Sequence, residues 1–242
     1  MDMGIKGRKA LVCGASAGLG FACAQALAGE GVELVIAART EVPLREAADL
    51  LQKAGSGPVH WVAADVTTEA GRARIFAAHP DFDILVTNAG GPALGDFRTW
   101  ERDTWIAALD ANMLAPIALI RRLVDGMMAR GFGRIVNITS SAVKSPVDGL
   151  ARSTVARGVT INNILPGTFD TNRLASNFAA QAEREGRDVQ SVRTARLAKH
   201  PAHRFGQPNE FGAACAFLCS AHAGYINGQN LLLDGGSFSG VF

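Results

Sequence analysis

The chain of 242 residues is 48% hydrophobic and 19% charged, with a formal net charge of +2. That length can bury one α/β core, and so small a net charge argues against nucleic-acid binding, which needs a clustered basic face and a higher pI. The charge is uneven: between Asn172 and Arg204 seven basic residues stand against three acids, and the remainder is slightly acidic. Cys13, Cys23, Cys215 and Cys219 lie in apolar runs with no C-x-x-C pair, the pattern of buried reduced thiols rather than of a zinc site or a secreted disulfide framework. The start, "MDMGIKGRKALVCG", has an acid at Asp2 and only four consecutive apolar residues before Gly14, too few for a signal sequence or a membrane span. A cytoplasmic protein with no membrane or nucleic-acid partner is expected.

Apolar runs rich in Val, Ile and Leu alternate with longer segments of helical period, as in βαβ units around a parallel sheet buried on both faces. The first strand is expected over Lys9 to Cys13, followed by "CGASAGLG". Gly14, Gly18 and Gly20 keep a G-x-x-x-G-x-G spacing here. Glycines let the turn take positive φ and let a pyrophosphate approach the next helix, Gly18 to Gly29, whose free N–H groups and dipole favour an anion. A plain tight turn is the alternative. The second strand, Glu33 to Ala38, runs into Arg39 and Thr40, where folds that use NAD often place an acid for the ribose 2′-hydroxyl. A guanidinium suits a 2′-phosphate, so NADP(H) is favoured over NAD(H); a solvated surface arginine is the alternative.

A helix over Val42 to Lys53 leads to a strand over Val59 to Ala64, with Asp65 and Val66 just past it. A helix over Glu69 to Ala78 leads to a strand over Asp83 to Val86, with Asn88, Ala89 and Gly90 beyond. Carboxyl ends of strands are where open α/β sheets bind their ligands. One long helix, Asp103 to Arg130, carries Asn112; strands over Gly133 to Thr139 and Val159 to Leu165 end beside Ser140 and Pro166. After the basic excursion come a helix over Pro208 to Ser220, with Pro208 where a missing N–H costs nothing, and a strand over Asn230 to Leu233. The expected fold is α/β: a single doubly wound (Rossmann) parallel sheet of about seven strands with helices on both faces. One domain is expected over 1–242, with a helical lid at about 169–205. His60, His79, His200, His203 and His222 show no metal-ligand spacing beyond a loose His200-x-x-His203, so no metal is expected.

Together, G-x-x-x-G-x-G, the D-V at Asp65, N-A-G at Asn88, the helix Asn112, S-S at Ser140, P-G at Pro166 and the closing "HRFGQPNEFGAACAFLCSAHAGYINGQNLLLDGG" make the sequence resemble the short-chain dehydrogenase/reductase family, in its 3-oxoacyl-[acyl-carrier-protein] reductase-like form. The resemblance implies that Gly14, Ser16, Gly18, Leu19 and Gly20 hold a pyrophosphate, and that Arg39 and Thr40 hold the adenosine-side phosphate. It places Asp65 and Val66 at the adenine, Asn88, Ala89 and Gly90 along the riboses, and Pro166, Gly167 and Thr168 against the nicotinamide. Asn112 would support a water in a proton relay and Ser140 would hydrogen-bond the substrate carbonyl. Each also has a structural alternative, Asn112 at a helix kink and Ser140 in a strand-end turn. The implied activity is hydride transfer between NADP(H) and a carbonyl or alcohol. A 3-oxoacyl thioester or another acidic or carrier-bound substrate would suit the basic lid, and a homodimer or homotetramer is implied.

One piece of that pattern is absent. The family pairs a proton-donating tyrosine with a lysine four residues later, whose charge lowers the tyrosine pKa. This chain has no Tyr-x-x-x-Lys, and its one tyrosine is Tyr225, where the family usually has a structural aromatic. Ser153 and Arg157 have the right spacing but resemble the end of the helix leading into the sixth strand. Between Thr139 and Val159 lie 19 residues, enough for a minimal crossover. A loop through Pro146 and Gly149 leaves about eight helical residues, roughly 12 Å, beside a strand of roughly 23 Å. So short a helix would uncover apolar sheet surface. Either about 20 residues are deleted after Gly149, or they exist in the protein and are missing from this sequence, which is the favoured reading. Lys144 is read as a solvated loop residue, with a substitute proton donor or a substrate-anion contact as the alternatives. The competing function is a catalytically impaired NADP(H)-binding sensor or structural protein on the same fold.

Overall fold

The computed structural model describes residues 2–90, 100–139, 151–152 and 154–239. Strands β1 (Lys9–Cys13), β2 (Glu33–Ala38), β3 (Val59–Ala63), β4 (Ile84–Thr87), β5 (Gly133–Ile138), β6 (Val159–Pro166) and β7 (Asn230–Leu233) form one sheet. Their order is β3-β2-β1-β4-β5-β6-β7, and every pairing is parallel. Parallel strands buried on both faces need apolar residues at successive positions. Alternation then sends Leu11, Val35, Leu85, Ile135 and Ile161 to one core and Val12, Ile36, Val86, Val136 and Ile164 to the other. The strand order reverses between β1 and β4, opening a crevice at their carboxyl ends.

Helices α1 (Gly18–Gly29) and α2 (Glu41–Ala54) cover one face, and α3 (Glu69–Ala78) lies on the other. The helix expected as one piece from Asp103 to Arg130 is three: α4 (Arg102–Leu109), a π-helical segment (Asp110–Leu114) and α5 (Ala115–Arg130). Pro116 has no N–H to give to the carbonyl of Asn112, so the ladder widens one turn earlier and the Ala115 N–H reaches Asp110 O. By length and composition the run Arg102–Arg130 could cross a membrane. Here α5 instead lays Leu119, Ile120, Leu123 and Met127 on the sheet. The outer side carries Trp105, Ile106, Leu109, Met113, Leu114 and Ile117, all exposed.

The basic excursion is a helical hairpin, α6 (Asn172–Glu185) and α7 (Val189–Ala198), with its own small core of Phe178, Ala182, Val192 and Phe205. Thr171 and Asp188 cap the two helices, and Gly186 at φ +60 closes the first. Three of the seven basic residues of this region are paired: Arg187 with Glu185, Arg193 with Asp170 and Arg204 with Glu210. Helix α8 (Pro208–Cys219) then returns to pack on α1, where a Cβ on Gly212 would stand 2.3 Å from the Ala22 carbonyl.

In the β5–β6 crossover, Ser140, Lys144, Pro146, Gly149 and Ser153 lie outside the described residues. Ala151, Arg152 and Thr154 are helical and pass through a 3-10 turn, Val155–Arg157, into β6. Across β4 to β7 runs a chain of polar side chains in register. Thr87 Oγ1 donates to Asn137 Oδ1 at 2.8 Å, Asn137 Nδ2 to Asn163 Oδ1 at 3.2 Å, and Asn163 Nδ2 to Asn230 Oδ1 at 2.7 Å. Thr87, Asn137 and Asn163 are buried, so these bonds satisfy groups that would otherwise be costly to desolvate.

Candidate functional site

At the switch point, β1 gives way to a turn in which Gly14 and Gly18 take φ of +60 and +62. Helix α1 follows with no side-chain cap and no acid in its first turn, which leaves its leading N–H groups and the positive end of its dipole for an anion. A Cβ at Gly18 would meet open space, whereas one at Gly20 would stand 2.3 Å from Gly14 O. The first glycine thus leaves room for a ligand and the second lets the helix close on the turn. Gly14, Ser16, Gly18, Leu19 and Gly20 are brought together here, and these free donors and the missing Cβ atoms fit a dinucleotide pyrophosphate.

Beside this turn, Arg39 and Thr40 are exposed where β2 ends, and Thr40 makes no side-chain cap bond to α2. Asp65 follows β3. Burial works against its charged form, but the Thr67 hydroxyl and amide and the Arg39 guanidinium outweigh it and hold the carboxyl below its ordinary pKa. The Thr67 amide donates to Asp65 Oδ1 at 2.9 Å and the Thr67 hydroxyl at 2.7 Å, so one carboxylate oxygen is committed to the turn. The Val66 carbonyl accepts from Arg72 Nη1 at 2.8 Å, which steadies the passage that Val66 shares. Asn88 Nδ2 donates to Gly14 O at 3.2 Å, joining the end of β4, and Ala89 and Gly90 after it, to the glycine turn.

At the far side, Pro166, Gly167 and Thr168 leave β6. Gly167 N donates to Leu233 O at 2.9 Å, and a Cβ on Gly167 would lie 2.5 Å from Asp234 Cβ. Only glycine allows β6 and β7 to stay so close at this point. Asn112 sits in the π segment with its Nδ2 donating to Ala108 O at 2.9 Å, so its amide is engaged with the helix itself. Tyr225 is 100% exposed; it packs against nothing described, contrary to the expectation of a structural aromatic. Ser140 falls outside the described residues. Cys13, Cys23, Cys215 and Cys219 are free and buried, and burial pushes the Cys13 thiol up to about 12. Among the described residues no group of His, Cys, Asp or Glu could hold a metal.

An anion cradle at the switch point of a doubly wound parallel sheet is the arrangement of a dinucleotide-binding fold. The short chain dehydrogenase model matches residues 8–182, and the Enoyl-(Acyl carrier protein) reductase model matches residues 141–237. The 3-oxoacyl-[acyl-carrier-protein] reductase of Vibrio cholerae is 32% identical over 98% of this chain and 99% of its own. The crystal structure of L-sorbose reductase from Gluconobacter frateurii, complexed with NADPH and L-sorbose, superposes with a TM-score of 0.91 at 30% identity, covering 100% of both chains. A putative 2-deoxy-D-gluconate 3-dehydrogenase from Agrobacterium tumefaciens with bound NADP gives 0.82 at 31% identity, covering 98% of both chains. The chain belongs to the short-chain dehydrogenase/reductase family and is an NADP-dependent oxidoreductase of that family.

Sequence reasoning missed Asp170, Arg193 and Gly206, which lie beside the Pro166–Thr168 passage. No local signal marks them: Arg193 reaches Asp170 from 23 residues away.

Proposed function

We propose that the protein reduces a carbonyl group with NADPH and that 3-oxoacyl thioesters are its substrate class. The observation that carries the cofactor part is the uncapped α1 behind a glycine turn, with Arg39 and not an acid at the end of β2. NADPH, when bound, would supply a hydride to the carbonyl carbon and leave as NADP+, with the carbonyl oxygen taking its proton from water. Gly14, Ser16, Gly18, Leu19 and Gly20 orient the pyrophosphate, and Arg39 and Thr40 hold the 2′-phosphate. Asp65 and Val66 border the adenine; Asn88, Ala89 and Gly90 border the riboses; Pro166, Gly167 and Thr168 select the nicotinamide face. Ser140 hydrogen-bonds the substrate carbonyl, and Asn112 supports the proton path.

The α6–α7 hairpin is the substrate lid of a one-domain protein. Of its basic residues, Arg173, Arg184, Arg196 and Lys199 have no ion pair among the described residues and suit an anionic or carrier-bound substrate. The similarity to the Vibrio cholerae enzyme supports the thioester. The exposed apolar stripe on α4 and α5 supports a homodimer or homotetramer, and the buried free thiols support the cytoplasm.

A second reading, a weak catalyst that mainly binds the cofactor, is favoured by Tyr225: the sole tyrosine is fully exposed and lies outside the β5–β6 crossover. Lacking a positioned proton donor costs about 10² to 10⁴ in rate. Fluorescence titration should give at least about tenfold tighter NADPH than NADH, the worth of a charge-assisted contact to the 2′-phosphate. Equal affinities would remove Arg39 from the site. Turnover of an acetoacetyl thioester above that of L-sorbose supports the substrate class, and binding without turnover of either supports the second reading.

A further inference from the structure

The chain enters the lid through Thr168, Phe169 and Asp170 and leaves it through Phe205 and Gly206. The two passages are stitched into a neck: Gly206 N donates to Thr168 O at 3.0 Å and Asp170 N to Gly206 O at 2.8 Å, around a parallel bridge between Phe169 and Gly206. The Phe169 ring is anchored edge-on to Phe211 in the main core, with centroids 5.2 Å apart. A Cβ on Gly206 would stand 2.6 Å from the Phe169 ring, so the neck closes only because residue 206 has no side chain.

Into this neck reaches Arg193 from α7. Its Nη1 and Nη2 donate to Asp170 Oδ1 and Oδ2 at 3.2 and 2.8 Å. The same guanidinium lies 5.1 Å from the Phe205 ring centroid and 5.9 Å from that of Phe178. One side chain therefore touches the small core shared by the two helices of the hairpin and the passage that follows Gly167. The pair is 33% and 35% exposed, and an ion pair so open to solvent adds little to folding stability. A two-pronged fork nevertheless fixes direction as well as distance. Its effect falls on position more than on stability.

We infer that Arg193 is a positioning residue: through Asp170 it holds the Pro166–Thr168 passage in place against the nicotinamide half of the cofactor, coupling the lid to the seating of that half. The inference rests on the cofactor site proposed above. Arg193→Met keeps an alkyl side chain against the phenylalanines and loses the fork. Two probes separate the halves of the site, NADPH and 2′,5′-ADP, which has the adenosine half with its 2′-phosphate and no nicotinamide. The expected result is about a tenfold loss of NADPH affinity in Arg193→Met, as a slightly misplaced contact gives, with 2′,5′-ADP unchanged within about twofold. Arg193→Lys should fall between, because it keeps the charge without the fork. Asp170→Asn should match Arg193→Met, and the double variant should be no weaker than the weaker single, the signature of a shared interaction.

NADPH binding like wild type in Arg193→Met, or equal loss of both probes, would overturn the inference, the latter being what a merely structural role produces. Should Arg193→Met fail to fold by circular dichroism, Arg193→Lys and Asp170→Asn decide by the same comparison. A wild-type protein that binds neither probe overturns the cofactor site itself, whereas wild-type binding of both with unaltered variants confines the failure to Arg193.

Discussion

Asn88 donates its side-chain amide to the carbonyl of Gly14 at 3.2 Å, bridging the two strands between which the sheet reverses its order. The same amide nitrogen would lie 2.7 Å from a Cβ on Gly14 and 2.7 Å from one on Gly20. The end of β4, the glycine turn and the first helix therefore close on one point. Gly20→Ala puts its methyl 2.3 Å from Gly14 O, backbone that cannot swing aside. The expected cost is about 1–3 kcal/mol of stability, and NADPH and 2′,5′-ADP affinities should fall together. Urea unfolding and probe titration on the same sample measure both.

The buried side-chain ladder from Thr87 to Asn230 makes a separate prediction. Asn163→Leu leaves Asn137 Nδ2 and Asn230 Oδ1 without their partners, and a buried group left unsatisfied costs about 1–3 kcal/mol. Asn163→Leu should lower the unfolding free energy by that amount, read as a lower urea midpoint with an unchanged slope. A midpoint equal to wild type would mean that the ladder is not formed.

Glu210 gives the acid side of the stability profile. Both prongs of Arg204 donate to it at 2.7 Å, as does Gln207 N, and these bonds hold its pKa at about 2 against an ordinary 4.5. A depressed folded pKa means stability that is fully present above the unfolded value and lost as pH falls through the folded one. The contribution should persist to about pH 4.5 and fade toward pH 2. The pair is 59% and 44% exposed, so the effect is screened and small. Thermal melts of wild type and Glu210→Gln should differ at pH 6 and converge near pH 2; a constant difference would contradict the pairing. Asp170, lowered by Arg193, adds in the same direction.

Trp105, Leu109 and Ile117, each 46–48% exposed, belong to a run of exposed apolar residues along α4, the π-helical segment and α5, the kind of surface that marks an interface. Light scattering should show an oligomer for the wild type and a monomer for Leu109→Glu combined with Ile117→Glu. An oligomer that survives both charges would place the interface elsewhere.

Much of the fold was legible because a parallel sheet writes its burial locally. Runs such as "ALVC" and "ELVIAA" can satisfy both faces only as inner strands, and β1, β2 and β7 fall where expected. The break in the long helix was less visible, although Pro116 was its signal. The partners of Arg193 and Arg204 were not legible, because Asp170 and Glu210 stand outside the basic stretch in the chain.

By itself the sequence determined the class of fold, the glycine turn, an arginine rather than an acid at position 39 and the missing Tyr-x-x-x-Lys, since each depends on residues adjacent in the chain or on a repeated period. Only the tertiary structure decided that Thr87, Asn137, Asn163 and Asn230 form one ladder, that Asn88 reaches Gly14, and that Arg193 pairs with Asp170. Those contacts join residues far apart in the chain. Parallel strands must return by crossovers, so their side-chain partners are set by sheet order, which no local spacing records.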